Sequence, residues 1–297
     1  MKLTNKLNYP QSVVIAAEKS IQKPSWDNVR VTELLSGLLT KYLTIRYWDE
    51  LEIDVDDLLL SMFGNSWHQF LSGWNSPNEV HNKRWYATIN AVKLSGETDI
   101  YGFEEHNQPN AVIEDNKVTS AWAFVFGRKE WEYQLNSYAY LVRANNYPIH
   151  ELFINAFLRD WSQYEAMKDR QKEYPKSRFY RLQVPLWTPE KQLEYLTKRI
   201  ELHKLAYEVF TNERAYDISY APFECTPDEK WQRKEQWAVK KKGRQSALRL
   251  ADDFEQAKVL AKKYKGDIYI ENRKGKAVKC QDWCICRGVC PVREKQL

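Results

Sequence analysis

At 297 residues with 43% hydrophobic content, the chain can bury one sizeable core and carry a smaller lobe. It contains no internal repeat, low-complexity tract, Gly-rich phosphate loop or nucleotide-hydrolysis motif, which argues against a helicase. Charge is uneven: residues 226–297 carry nineteen Lys and Arg against ten Asp and Glu, a surplus of +9, so within a net +5 residues 1–225 carry −4. A basic carboxy-terminal stretch of this kind suits a nucleic-acid track.

Taken in chain order, apolar periodicity predicts helices over 31–47 and 55–71, then strands over 85–92, 100–104 and 111–118, the last bounded by Pro109 and Asn110. An amphipathic helix over 129–146 and a strand over 150–157 follow. Pro175, Pro185 and Pro189 punctuate a loop before a long helix over 190–210. Beyond Cys225 the pattern reads β-β-α-β. The expected architecture is α/β, with one domain over 1–224 and a second over 225–297. No run of signal-peptide length opens the sequence and none approaches the eighteen apolar residues that span a bilayer, so a cytoplasmic protein without membrane contact is expected, in a prokaryotic cell or a phage-infected host.

Chemistry concentrates in three of these elements. In a strand over 111–118, Asp115 and Lys117 share a face while Glu114 and Asn116 point the other way. With Asp99 of Gly96-Glu-Thr-Asp99 on a neighbouring strand, two carboxylates can hold a hard divalent cation and leave positions for water and a phosphate oxygen. Lys117 can then orient or deprotonate that water and counter the charge growing on phosphorus. Upstream, Gly64 and His68 lie four apart on a helix, with the missing side chain allowing close approach beside the imidazole. His68 is a candidate third ligand, and nitrogen beside carboxylates tilts preference from Mg2+ toward Mn2+. Downstream, Gln134 and Tyr138 share a helix face beside Leu135, Tyr140 and Leu141, placed to bind Lys117 or a DNA backbone. Alone, Asp-x-Lys is more often an exposed ion pair of little consequence. The flanking segments change that balance.

In this order, G-x-x-x-H at 64–68, G-x-x-D at 96–99, D-x-K at 115–117 and Q-x-x-x-Y at 134–138, the chain resembles the PD-(D/E)XK nuclease superfamily, in its RecB-like branch, over about residues 31–157. The resemblance implies a restriction-endonuclease-like core, a mixed central sheet flanked by helices. It implies His68, Asp99 and Asp115 as metal ligands, with Asn116 among the metal-binding positions, Lys117 as the catalytic lysine, and Gln134 with Tyr138 as the auxiliary motif. No proline precedes Asp99, and polar Asn116 stands where the branch often has an apolar residue. Segments such as Asp160-Trp161-Ser162, Tyr174-Pro175 and Val184-Pro-Leu-Trp187 are similar to a RecB-like type common in bacteriophage genomes. The implied activity is Mg2+- or Mn2+-dependent exonucleolytic cleavage of single-stranded DNA or duplex ends, in DNA processing with recombination or replication partners.

Four cysteines, Cys280, Cys284, Cys286 and Cys290, crowd the last eighteen residues, and Cys225 stands apart. In a reducing compartment such clusters more often hold a metal than form disulfides, and spacing alone leaves tetrahedral zinc and an iron-sulfur cubane both open. Some RecB-like nucleases, the CRISPR-adaptation nucleases among them, place three carboxy-terminal cysteines and a distant fourth around a 4Fe-4S cluster. By that resemblance Cys280, Cys284 and Cys290 form the trio and Cys225 the distant partner, although in those relatives the fourth precedes the core. Cys286 is a spare thiol or a substitute ligand. Two further readings accompany the nuclease: a catalytically inactive DNA-binding or recombination-accessory protein on the same scaffold, and a zinc-stabilised protein-interaction module. Lys240-Lys-Lys-Gly-Arg244 is expected as a turn able to meet phosphates, and Trp67, Trp122, Trp131, Trp231 and Trp237 as candidates to stack on bases.

Overall fold

The computed structural model describes residues 1–26, 29–74, 76–103, 111–169, 173–211 and 220–292. The chain divides into two compact units, Met1–Phe223 and Glu224–Leu297. Among the described residues no helix is long and apolar enough to cross a membrane.

The first unit begins with β1 (Lys2–Thr4), α1 (Gln11–Ser20), β2 (Val29–Arg30), α2 (Val31–Leu34), α3 (Leu38–Arg46), β3 (Glu52–Asp54) and α4 (Val55–Ser72). The single helix expected over 31–47 is two, because Gly37 takes an extended ψ of 126° and starts α3 afresh. The start of α4 is set by Asp54 and Asp57, whose side chains bond each other's ends of the first turn in a capping box, as the anionic start of a helix favours.

Next come β4 (Glu79–Ile89), β5 (Val92–Phe103), β6 (Ala111–Thr119), α5 (Ala121–Phe126), α6 (Lys129–Ala144), β7 (Glu151–Leu158), α7 (Gln163–Lys168), β8 (Phe179–Val184) and α8 (Pro189–Thr211). These strands form a mixed six-stranded sheet in the order β2-β5-β6-β7-β8, with β4 paired along β5. β6 and β7 run parallel; β4-β5, β5-β6 and β7-β8 run antiparallel. The strand expected over 85–92 turns back before its end. Asn90 and Ala91 both have positive φ, 47° and 62°, the signature of a two-residue hairpin turn normally marked by Asn-Gly. With Ala at the second place, that signal was hidden. Pro109, Asn110 and Glu104, expected at strand boundaries, lie outside the described residues.

Helix α6 covers the sheet. Trp131, Leu135, Tyr138, Leu141 and Val142, spaced along one face, are buried against core strands that include Leu94, Ile113, Leu152 and Ile154. A Cβ on Gly96 of β5 would meet Tyr138 and Leu141 at 2.8 Å, so the absence of a side chain lets α6 lie close. Gly64 of α4 is different. A Cβ there meets nothing within 4 Å, so it provides no close approach beside His68, contrary to expectation.

The second unit contains β9 (Gln232–Arg233), β10 (Gln236–Lys241), β11 (Arg249–Ala251), α9 (Phe254–Ala261), β12 (Ile268–Arg273) and β13 (Lys276–Ala277). Strands β11-β10-β12 form an antiparallel sheet, and Val239, Ala251 and Ala257 make its small core with α9. Lys241 and Arg244 close a turn through Arg244 N–H to Lys241 O, with Gly243 at φ +80°.

The two glycines predict opposite effects. In urea unfolding, Gly96→Ala should cost about 1–3 kcal/mol by overpacking. Gly64→Ala, in the open middle of a helix, should stabilise by about 0.5–1 kcal/mol. Equal effects would contradict the packing described for α6.

Candidate metal-binding site at a strand fork

The site forms where β5 and β6 part. Their pairing runs from Phe103↔Ala111 to Ile100↔Glu114 and stops, so the next step would oppose Asp99 to Asp115. Instead the main-chain N–H of Asn116 donates to Asp99 Oδ2 at 2.7 Å, a side-chain oxygen taking the place of a ladder carbonyl. On the other edge of β5 the register with β4 passes from His81↔Ile100 to Lys83↔Thr98, skipping Asn82, which has φ +52°. Two carboxylates are thereby presented at one fork.

Each carboxylate has its own attendants. His68 of α4 lies with Nδ1 3.2 Å from Asp99 Oδ2. Lys117, two residues along β6, has Nζ 2.5 Å from Asp115 Oδ2. The ammonium is close but out of line: Asp115 Oδ2 is buried and receives no hydrogen bond of normal geometry. From α6, Gln134 Nε2 donates to Asp115 Oδ1 at 3.1 Å and to the Tyr138 hydroxyl at 2.9 Å. The i, i+4 spacing thus joins Gln134 to Tyr138 and aims the amide at Asp115, rather than at Lys117 as expected.

Asp115 is 2% exposed. Burial pushes its carboxyl up to about 6; Asp99 adds to the rise, while the Lys117 ammonium and, more weakly, His68 oppose it. The hydrogen bond to Asp99 raises the His68 imidazole above its ordinary value against partial burial, and a bond with Asn82 adds to it. Burial raises the Tyr138 phenol, so it stays protonated.

His68, Asp99, Asp115, Lys117, Gln134 and Tyr138 therefore gather in one place. Asn116 enters differently from expectation. Its side chain alternates to the face away from Asp115, and its contribution is the main-chain N–H. On that opposite face Glu114 is occupied by Asn155 and Arg181. Asn82 was not anticipated. Only its position opposite Asp99, visible after the register is known, marks it.

Imidazole and two carboxylates are a donor set suited to Mn2+ or Mg2+, and the buried Asp115 oxygen, met by the Lys117 ammonium but by no well-aligned hydrogen bond, suits a cation. As the side chains stand, no three His, Cys, Asp or Glu groups among the described residues converge tightly enough to hold a metal. The Asp99–His68 and Asp115–Lys117 pairs occupy the inner positions. An ion would compete with one proton and one ammonium.

In the second unit none of the five cysteines is disulfide-bonded. Burial raises the Cys280 thiol; neighbouring Cys284 and Cys290 push the same way, while Lys230 and Lys279 oppose them. Cys284 and Cys290 thus each lie within electrostatic reach of Cys280. Cys280 lies in the tight turn Lys279–Trp283, which Cys284 N–H closes onto Lys279 O at 2.7 Å. Lys279 N–H bonds Lys230 O, and β9 pairs with β13, so the segment just after Cys225 is stitched to the cysteine turn. Cys286 is buried. Of the tryptophans expected to stack on bases, Trp131 is in the core and Trp67 packs on Phe157 and Phe70. Trp237 packs on Phe254, whereas Trp122 is about half exposed.

No family model matches the chain, and no curated protein matches it. Among solved structures, one described as the crystal structure of SSO0001 is similar at 12% identity with a TM-score of 0.48, covering 95% of this chain and 94% of that one. Fold and site together define an α/β protein with a mixed central sheet flanked by helices and a polar fork at the sheet's interior.

Because the folded-state value of Asp115 lies above its unfolded one, its contribution to stability is present at acid pH and lost as pH rises through about 6. The raised His68 acts in the same direction. Asp115→Asn, a neutral isostere, should therefore gain about 1–3 kcal/mol over wild type at pH 8 without divalent metal and nearly nothing at about pH 3.5, below the unfolded carboxyl value. Thermal melts at the two pH values check this; equal gains at both would be inconsistent with a strained buried carboxylate.

Proposed function

We propose that this protein is a metal-dependent deoxyribonuclease of the PD-(D/E)XK superfamily, RecB-like branch, whose first unit is a restriction-endonuclease-like core. The observation that carries the proposal is the pair of carboxylates at the β5-β6 fork with one ammonium and one imidazole beside them. His68, Asp99 and Asp115 would hold the Mg2+ or Mn2+, which when bound supplies Lewis acidity and an acidified water.

The chain's own residues account for the remaining steps. Lys117, released from Asp115, stands where it can orient the attacking water or stabilise charge on a non-bridging phosphate oxygen. Gln134 fixes the rotamer of Asp115, and the buried Tyr138 hydroxyl fixes Gln134. Asp99, held by the Asn116 amide, keeps its carboxylate aimed into the fork. Exonucleolytic action on single strands or duplex ends, in phage or prokaryotic DNA processing, extends this reading through the motif resemblance. The basic surplus of residues 226–297 and the turn at Lys241–Arg244 are compatible with DNA contact.

A 4Fe-4S cluster on Cys225, Cys280, Cys284 and Cys290 would clasp the second unit, with zinc as the alternative occupant; iron and sulfide analysis of an anaerobic preparation decides between them. The reading as a non-catalytic DNA-binding protein draws on one observation: His68 and Lys117 stand against the two carboxylates where an ion would sit.

Both readings meet in one assay, digestion of end-labelled single- and double-stranded DNA with Mn2+. Asp115→Ala should abolish cleavage with the melting transition retained, and Lys117→Ala should lower the rate by roughly 10²–10⁴-fold. Persistent cleavage by pure Asp115→Ala would overturn the assignment, and absence of cleavage by wild type on every DNA end would favour the binding protein.

A further inference from the structure

The first unit carries a cleft of about 620 Å³ lined by Trp161, Ser162, Gln163, Tyr164, Met167 and Arg178. It lies beyond the C-terminal ends of β6 and β7. These strands pair in parallel with Lys117 beside Ala156 and Thr119 beside Leu158, and Trp161 N–H then bonds back to Leu158 O. At about 3.3 Å per strand residue, the cleft begins on the order of 10 Å from Lys117 along the same sheet. A stacked strand rises about 3.4 Å per nucleotide, so a few nucleotides cover that distance.

The cleft's floor is fixed while its walls are bare. Trp161 is tied through its indole N–H to Pro175 O at 2.7 Å, and Ser162 N–H donates to the Tyr174 hydroxyl at 3.0 Å. The segment bearing Arg178 is held by Leu158 N–H on Arg178 O. Tyr164 and Met167, on the short α7, are 67% and 81% exposed, so the rings and thioether contribute little to the core. Two cations lie over the aromatic faces: the Arg178 guanidinium 5.5 Å from the Trp161 ring and Lys168 Nζ 5.2 Å from the Tyr164 ring. None of the six lining residues is a carboxylate, and among the described residues the contacts of the Arg178 and Lys168 cations are with these rings and include no ion pair.

One held indole and one exposed phenol, each with a cation that has no ion-pair partner among the described residues, suit a ligand having both a flat π-surface and negative charge. That is the chemistry of an unpaired nucleotide: base–aromatic stacking supplies affinity, and Arg or Lys meets the phosphate. We propose that this cleft is a base-stacking subsite for single-stranded nucleic acid, holding an unpaired base of the strand whose backbone passes Asp115 and Lys117. The proposal rests on the nuclease reading for the path of the strand. It adds what that reading leaves open, a preference for unpaired over duplex substrate.

The test measures binding without catalysis, on the full chain in EDTA, using fluorescence anisotropy with a labelled oligo(dT) of about 16 nucleotides, the upper end of a single-strand site. Tyr164→Ala and Trp161→Ala should each weaken oligo(dT) binding by roughly 5- to 150-fold while leaving binding of a blunt duplex unchanged. Arg178→Ala should weaken it too and flatten its salt dependence by about one unit of slope. Trp161→Ala removes a buried hydrogen bond, so Tyr164→Ala, an exposed site, carries the test if Trp161→Ala lowers the melting temperature. Unchanged oligo(dT) affinity in Tyr164→Ala and Arg178→Ala, equal losses for duplex and single strand, or no oligo(dT) binding by wild type would each overturn the proposal. Loss of oligo(dT) binding in these variants supports the cleft even if wild type cuts nothing with Mn2+, so the failure of the subsite and the failure of the hydrolase reading remain separate results.

Discussion

Two carboxylates stand where the β5-β6 ladder ends, and much of the first unit is arranged around their mutual repulsion. A buried, unpaired carboxylate costs several kcal/mol, so the fork persists only with partners supplied from elsewhere in the chain. Three elements supply them. The imidazole comes from α4, the amide from α6, and both the ammonium and a main-chain N–H from β6. Gly96 belongs to the same arrangement, because α6 can deliver Gln134 to Asp115 only if it lies close to β5.

This accounts for which parts of the site were legible in advance. Asp115 with Lys117 follows from strand alternation, and Gln134 with Tyr138 from the helical repeat; both are local geometries that short spacings encode. The meeting of Asp99 with Asp115 depends on register, and that of His68 with Asp99 on how α4 crosses the sheet. Neither is written in spacing; both were reached by resemblance. Asn116 takes part through its backbone, whose N–H serves Asp99, and residue type gives no sign of that. Gly64 was misjudged for a related reason: a helical glycine near a histidine suggests close packing, and only coordinates reveal the open space beside it. Asn82 had no signal at all, since its importance comes from a kink opposite Asp99.

The elements were legible where periodicity was long. Helices α4, α6 and α8 begin and end within two residues of their expected bounds, as do β6 and β7. The failures come from local backbone choices that overrule pattern: Gly37 dividing α2 from α3, and Asn90-Ala91 turning a chain that continues to read as strand. The six-residue α7 and the two-residue β2 were too short for periodicity to register. Yet α7 carries half of the residues lining the cleft, so brevity conceals a candidate subsite. In the second unit the cysteines illustrate the limit differently. Their crowding implies a shared site by count alone; spacing does not give the fold of the turn Lys279–Trp283 that carries Cys280.

A fork that grips a divalent ion, as proposed, should do so without DNA present, and metal titration reads that binding alone. Calorimetric titration of Mn2+ into wild type and Asp99→Asn, near pH 7 in two buffers of different ionisation enthalpy, reads affinity and proton release together. Wild type should bind with net proton release, since metal binding displaces protons from its ligands, and Asp99→Asn should bind at least about 10-fold more weakly. Equal Mn2+ affinity in the two proteins, or no binding by wild type, would contradict the account.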